Sequence, residues 1–162
     1  MKRSVVVATA AVYAAMYVVL AVVFSPISYG VINFRVANVL MGLVPIIGWP
    51  AVVGQALGVF IANQPALGDP LGPIDLINVI PSLAFAWIAW KLRHRSVFLG
   101  LALYSVALGI SVSYALSYAF NLPLLVEIPQ VTAGIFLATA VLGYILYKAV
   151  SRLGTLQRRF GT

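Results

Sequence analysis

The sequence predicts an all-α integral membrane protein: a six-transmembrane-helix bundle, one domain over residues 1–162, with N- and C-termini cytoplasmic. Three observations predict it. Hydrophobic residues make up 63% of the 162 positions and charged residues 8%, which leaves too little polar surface to cover a water-soluble globule. Mean hydropathy is +1.07, and the length accommodates roughly six apolar segments of about 20 residues, each able to cross about 30 Å of hydrocarbon. The basic residues fall in three groups, near Lys2 and Arg3, in the segment KLRHR, and from Lys148 to the C-terminus. With six crossings these groups share one side, and the positive-inside rule makes that side the cytoplasm. The chain has no cysteine, so thiol and disulfide chemistry are absent. Its formal charge of +7 is spread over connections between apolar runs, which points to membrane orientation rather than to nucleic acid.

The first predicted helix covers residues 4–24. Its apolar run is longer than the core of a signal peptide, about 7–15 residues, and it ends at Ser25-Pro26 without a small-residue cleavage pattern. Ala8, Ala10, Ala11, Ala14 and Ala15 place small residues at spacing four. Such pairs let helices approach closely in lipid, so Ala10, Ala11, Ala14 and Ala15 form a packing face, either for the protein's own helices or for a partner subunit.

Pro26 and Gly30 break that helix, and Ser28 to Phe34 form a polar, aromatic connection. The second helix, 35–45, is short and ends at Pro45. Trp49-Pro50 makes an interfacial turn. The third helix, 51–62, carries Gly54 and Gly58 as a GxxxG pair, by itself a weak packing signal. Residues 63–73, NQPALGDPLGP, read as an exposed loop or lid. Asp75 then sits where a carboxylate caps the fourth helix, 75–92, and Pro81 inside that helix predicts a kink near Asn78 and Ser82. Trp87 and Trp90 precede Lys91, Arg93, His94 and Arg95, the pattern of an aromatic belt meeting a basic loop. His94, the single histidine, is a solvated interfacial residue there. In the fifth helix, 98–120, Ser111, Tyr114, Tyr118 and Asn121 recur at spacings three, four and three and predict a polar stripe. The sixth helix, 130–149, follows Pro123, Glu127 and Pro129.

This topology puts Asp69, Asp75 and Glu127 at the outer end of the bundle, together with Arg35. A guanidinium beside a membrane span is costly and marks a functional site by default. The candidate substrate-binding residues are Arg35, Asn33, Asn38, Tyr29, Phe34, Gln55, Asn63, Asp75, Asn78, Tyr114 and Glu127: amides and aromatics around one fork-shaped cation, in a pocket open to the outside. No catalytic or metal site is expected. There is no second histidine, no H-E-x-x-H and no phosphate-binding glycine loop. No cofactor is expected either. Channels and autonomous transporters are disfavoured, because neither charge rings nor inverted repeats are visible. What remains is a small solute-binding membrane subunit whose ATPase is a partner, or a non-transporting interaction protein in which Arg35 pairs with Asp75 or Glu127.

The segment ISYGVINFRVANVLMGLVP, together with IANQPALGDPLGPIDLI, resembles the QueT family, the substrate-binding S components of energy-coupling factor (ECF) transporters. The resemblance is strong over residues 25–90 and loose after 96. It implies the six-helix S-component fold in the cell membrane and capture of a 7-deazaguanine queuosine or archaeosine precursor, or a related vitamin-like solute, from outside. It further implies a transmembrane coupling subunit with two ATPase subunits as partners, docked on the alanine face of the first helix. Family members carry a Ser-Glu pair after Phe-Arg, whereas this chain has Ala37-Asn38, and an acidic residue early in their sixth helix has no counterpart near Gly134 to Phe136.

Overall fold

The computed structural model describes residues 3–28, 34–67 and 71–153. Its elements are α1 (Arg3–Val23), a single turn α2 (Ser25–Ser28), a 3-10 helix (Val36–Leu43) running into α3 (Val44–Ile47), and α4 (Trp49–Ala62). A 3-10 turn (Pro65–Leu67) follows, a longer 3-10 helix (Gly72–Asn78) leads into α5 (Val79–Lys91), and another 3-10 turn (Leu92–His94) comes after it. After α6 (Val97–Phe120), α7 (Leu124–Phe136) passes through a π-helical segment (Leu137–Leu142) into α8 (Gly143–Arg152). No strand occurs among the described residues.

All six expected helical segments are present, in order. Four are long and apolar enough to cross a membrane: Arg3–Val23, Pro73–His94, Val97–Phe120 and Leu124–Arg152. The second and third, Val36–Ile47 and Trp49–Ala62, are shorter. In the second, the 3-10 form stretches the chain: at about 2.0 Å rise per residue, eight residues span about 16 Å instead of about 12 Å.

Glycine sets the closest approaches. A Cβ on Gly54 would come within 2.8 Å of the Ala10 carbonyl oxygen, and one on Gly58 within 2.7 Å of Tyr17 Cβ, so the GxxxG pair is the face on which α1 and α4 run parallel. A Cβ on Gly42 would lie 2.0 Å from the Gly143 carbonyl oxygen, which fixes the 3-10 helix against the start of α8. Gly100 meets Ala89 where α5 and α6 pair, and Gly109 meets Thr132 where α6 and α7 pair. Trp49 against Trp90, with ring centroids 6.3 Å apart, joins the start of α4 to the end of α5. Phe98 packs edge-on against Phe136 and Tyr144, joining the start of α6 to the far part of the last helix. These pairings bring Arg3, Lys91, Arg93, Arg95, Lys148 and Arg152 to one end of the bundle and Arg35, Asp75 and Glu127 toward the other.

Several local expectations change. The second helical segment does not end at Pro45, which falls in the first turn of α3 and lets it run on to Ile47. Trp49-Pro50 opens α4 instead of forming a turn before it, and the break falls at Gly48 with φ 82°. Asp75 caps nothing; it lies within the first turn of its 3-10 helix, whose N-cap is Leu71 with no side-chain capping bond. Pro81 does not interrupt a running α-helix. The helix changes type at Asn78–Val79, so Pro81 falls in the first turn of α5, where a missing N–H is tolerated. The last long helix starts at Leu124 rather than 130 and contains Pro129.

Candidate functional site

Arg35 stands at the N-cap of the 3-10 helix with extended backbone (φ −77°, ψ 91°). Three residues per turn eclipse positions i and i+3, so Arg35, Asn38 and Met41 form a column on one face. All three are buried, Arg35 at 2% exposure and the other two at 0%. An α-helix would have rotated Asn38 and Met41 away from this register.

The guanidinium is fully engaged on its fork. One terminal nitrogen donates to Asp75 Oδ2 at 2.9 Å and the other to Asn63 Oδ1 at 3.0 Å. Asn63 returns a bond from Nδ2 to the Asp75 carbonyl oxygen at 3.1 Å. Asn78 Nδ2 donates to Asp75 Oδ1, and Ser111 Oγ donates to Asn78 Oδ1. One positive and one negative charge are thus removed from solvent together, with each oxygen of the Asp75 carboxylate satisfied. That arrangement offsets the desolvation of a buried pair.

Below this cage, two tyrosines of α1 reach inward. Tyr17 donates to Asn38 Oδ1 at 3.0 Å and lies in the field of the Arg35 guanidinium. Oδ1 accepts from Tyr17, and the end of the amide left without a partner is its donor: Asn38 Nδ2 is buried with no partner among the described residues. Tyr13 donates to Gln55 Oε1 at 3.0 Å, Gln55 Nε2 donates to the Tyr104 hydroxyl at 2.8 Å, and Ser82 lies 3.0 Å from that hydroxyl. The end of the bundle opposite the basic residues therefore holds a charged cage, and a tyrosine–amide network continues from it into the apolar interior.

Of the residues singled out from sequence, the structure brings Arg35, Asn63, Asp75 and Asn78 into direct contact, with Asn38 and Gln55 on the adjoining network. Tyr29 and Asn33, like Asp69, lie outside the described residues. Phe34 is half-buried beside Arg35. Tyr114 is 53% exposed on α6 and Glu127 is half-buried in the first turn of α7; neither joins the bonds made by Arg35. The predicted stripe on α6 divides for the same reason. The buried face of that helix runs through Leu101, Tyr104, Leu108, Val112 and Ala115. At about 100° per residue Ser111 borders it, whereas Tyr114, Tyr118 and Asn121 turn away.

The alanine face of α1 divides too. Ala10 and Ala14 are buried, Ala10 against the glycine face of α4, and of the four only Ala11 and Ala15 are exposed. Sequence reasoning missed Tyr13, Tyr17, Tyr104 and Ser82. Their signal was present: Tyr13 and Tyr17, four apart in the middle of an apolar run, carry hydroxyls that need partners away from the interface.

A family model described as "QueT transporter" matches residues 7–152. Neither the curated proteins nor the solved structures yield a match. The family match spans every element that builds the buried Arg35 site except the first residues of α1, and the chain accordingly belongs to the QueT transporter family.

Proposed function

We propose that this multi-pass membrane protein is the S component of an ECF-type importer. In that role it captures a 7-deazaguanine, or a closely similar planar heterocycle, at the outer end of the bundle, and a coupling subunit with two ATPases drives release inward. The observation that carries the reading is the fully buried Asn38, whose Nδ2 has no partner beside the Arg35 cage. A buried donor without a partner is costly, about 1–3 kcal/mol, and a ligand acceptor removes that cost. Asn38 Nδ2 can donate to an acceptor on a guanine-like base. Asn63, Asn78 and Gln55, already bonded at both ends of their amides, hold the surrounding groups in place. Tyr17, bonded to the same Asn38 amide, offers a ring beside it. For the coupling subunit, the outward side of α1 presents Ala11 and Ala15, and an apolar groove of about 400 Å³ lined by Val12, Ala15, Met16, Val19 and Leu20.

A panel of 7-deazaguanines, purines and other heterocyclic vitamins, added to the purified protein in thermal unfolding, tests the assignment. A 7-deazaguanine should raise the midpoint most; stabilisation by none of the panel would overturn it. One observation favours a second reading, a non-transporting interaction protein: Arg35 is already paired with Asp75. Under that reading no solute stabilises the protein, and co-expression with a coupling module recovers no complex.

A further inference from the structure

At the basic end of the bundle, far from the Arg35 cage, two cations are held over indole rings. Lys91 Nζ lies 5.5 Å from the Trp87 ring centroid and 5.0 Å from that of Trp90, and the Arg93 guanidinium lies 4.9 Å from Trp90. Arg93 donates one terminal nitrogen to the Trp90 carbonyl at 3.0 Å. Its Nε has no partner among the described residues. No carboxylate faces these cations: among the described residues the acids are Asp75 and Glu127, both at the opposite end. Directly toward the membrane interior from Lys91, an apolar groove of about 260 Å³ is lined by Trp49, Leu83, Ala84 and Trp87. Leu83, Trp87 and Lys91 follow one another at spacing four, so groove and cation share one face of α5. Trp49, Leu83 and Trp87 are each more than 40% exposed.

We propose that this face is a specific site for one anionic phospholipid, with an acyl chain in the Trp49–Leu83–Trp87 groove and its phosphate on Lys91 and Arg93. The charge argument selects the headgroup. Cations stacked on indoles keep their N–H donors and are pre-positioned at the depth where a phosphodiester lies. A zwitterionic headgroup brings its own cation beside them, whereas a net-negative one does not. The site is independent of the solute-binding reading.

The test uses the full chain in detergent, titrated with phosphatidylglycerol or phosphatidylcholine of identical acyl chains and read by native mass spectrometry and thermal unfolding. Phosphatidylglycerol should saturate at one tightly held lipid and raise the unfolding midpoint; phosphatidylcholine should bind at least about tenfold more weakly. The Lys91→Gln/Arg93→Gln pair should remove that preference. Lys148→Gln, which removes a cation stacked 4.8 Å from Tyr144 at the same end, should change it less than about twofold. Leu83→Glu should block the acyl chain and lower occupancy while leaving the fold measured by circular dichroism intact. Equal binding of the two lipids would overturn the proposal, as would an equal loss in Lys148→Gln, which would reduce the effect to diffuse surface charge.

Discussion

Arg35 and Asp75, 40 residues apart in the chain, meet at 2.9 Å with both side chains buried. They bind the 3-10 helix that starts at residue 36 to the 3-10 helix that leads into α5. The pair therefore has a structural cost and benefit separate from any ligand. Replacing one partner leaves a lone buried charge, whereas replacing both with apolar residues of similar size is often neutral.

Arg35→Ala should destabilise the protein by about 3–5 kcal/mol, because Asp75 is left buried and unpaired. Arg35→Met/Asp75→Leu should recover most of that stability in detergent without recovering ligand binding. Thermal unfolding with calorimetry on the single and double variants checks both halves. A double variant that binds solute like the wild type would make the cage purely structural.

Asn38 should discriminate between substituents on the base. With Oδ1 occupied by Tyr17 and Nδ2 free, the position offers donors to a ligand, so a neutral acceptor such as a nitrile suits it and a donor-only ammonium does not. 7-Cyano-7-deazaguanine should bind more tightly than its aminomethyl analogue, and Asn38→Asp should reverse the order by supplying a carboxylate. Calorimetry with both bases decides it; a tighter aminomethyl complex in the unmodified protein contradicts the expectation.

Gly42→Ala should be more damaging than Gly58→Ala. The added methyl at 42 meets the backbone carbonyl of Gly143 at 2.0 Å, and neither helix can yield without moving as a body. At 58 it meets Tyr17 Cβ at 2.7 Å, and overpacking of that kind costs about 1–3 kcal/mol. Gly58→Ala should also weaken solute binding by shifting Tyr17 from Asn38. Unfolding midpoints of the two variants give the order.

Ala14→Leu and Ala15→Leu should separate folding from assembly. Ala14 is 4% exposed, so a leucine there overpacks the interior and lowers stability, by about 1–3 kcal/mol. Ala15 faces outward beside the groove on α1; its leucine should leave the midpoint unchanged and, under the proposed function, reduce co-purification with a coupling subunit. Normal co-purification of Ala15→Leu would remove this side of α1 as the docking face.

Much of the site was readable because buried polarity in an apolar chain is conspicuous. Arg35, Asn63, Asp75 and Asn78 stood out as the polar groups between apolar runs, and they meet in the structure. Tyr114 and Glu127 stood out equally and do not meet them, since whether a helix position faces inward depends on where the neighbouring helix lies. The tyrosines were overlooked because an aromatic residue in a membrane segment also satisfies hydropathy; only the fold shows their hydroxyls on Gln55 and Asn38.

By itself the sequence determined the solvent, the all-helical class, the order of six helical segments and the gathering of basic residues at alternate connections, because these follow from apolar run length, proline and glycine breaks and loop charge, all local properties. Tertiary structure alone decided that Val36–Leu43 winds as a 3-10 helix and stacks Arg35 over Asn38 and Met41. It also decided that Asp75 serves as counter-ion instead of cap, and that Ala10 and Ala14 turn inward while Ala11 and Ala15 do not. Each depends on a contact between segments distant in the chain: the Gly42–Gly143 approach, the Arg35–Asp75 pair and the glycine face of α4. The free energy of packing and charge burial there exceeds the small local preference for one helix type or rotation over another.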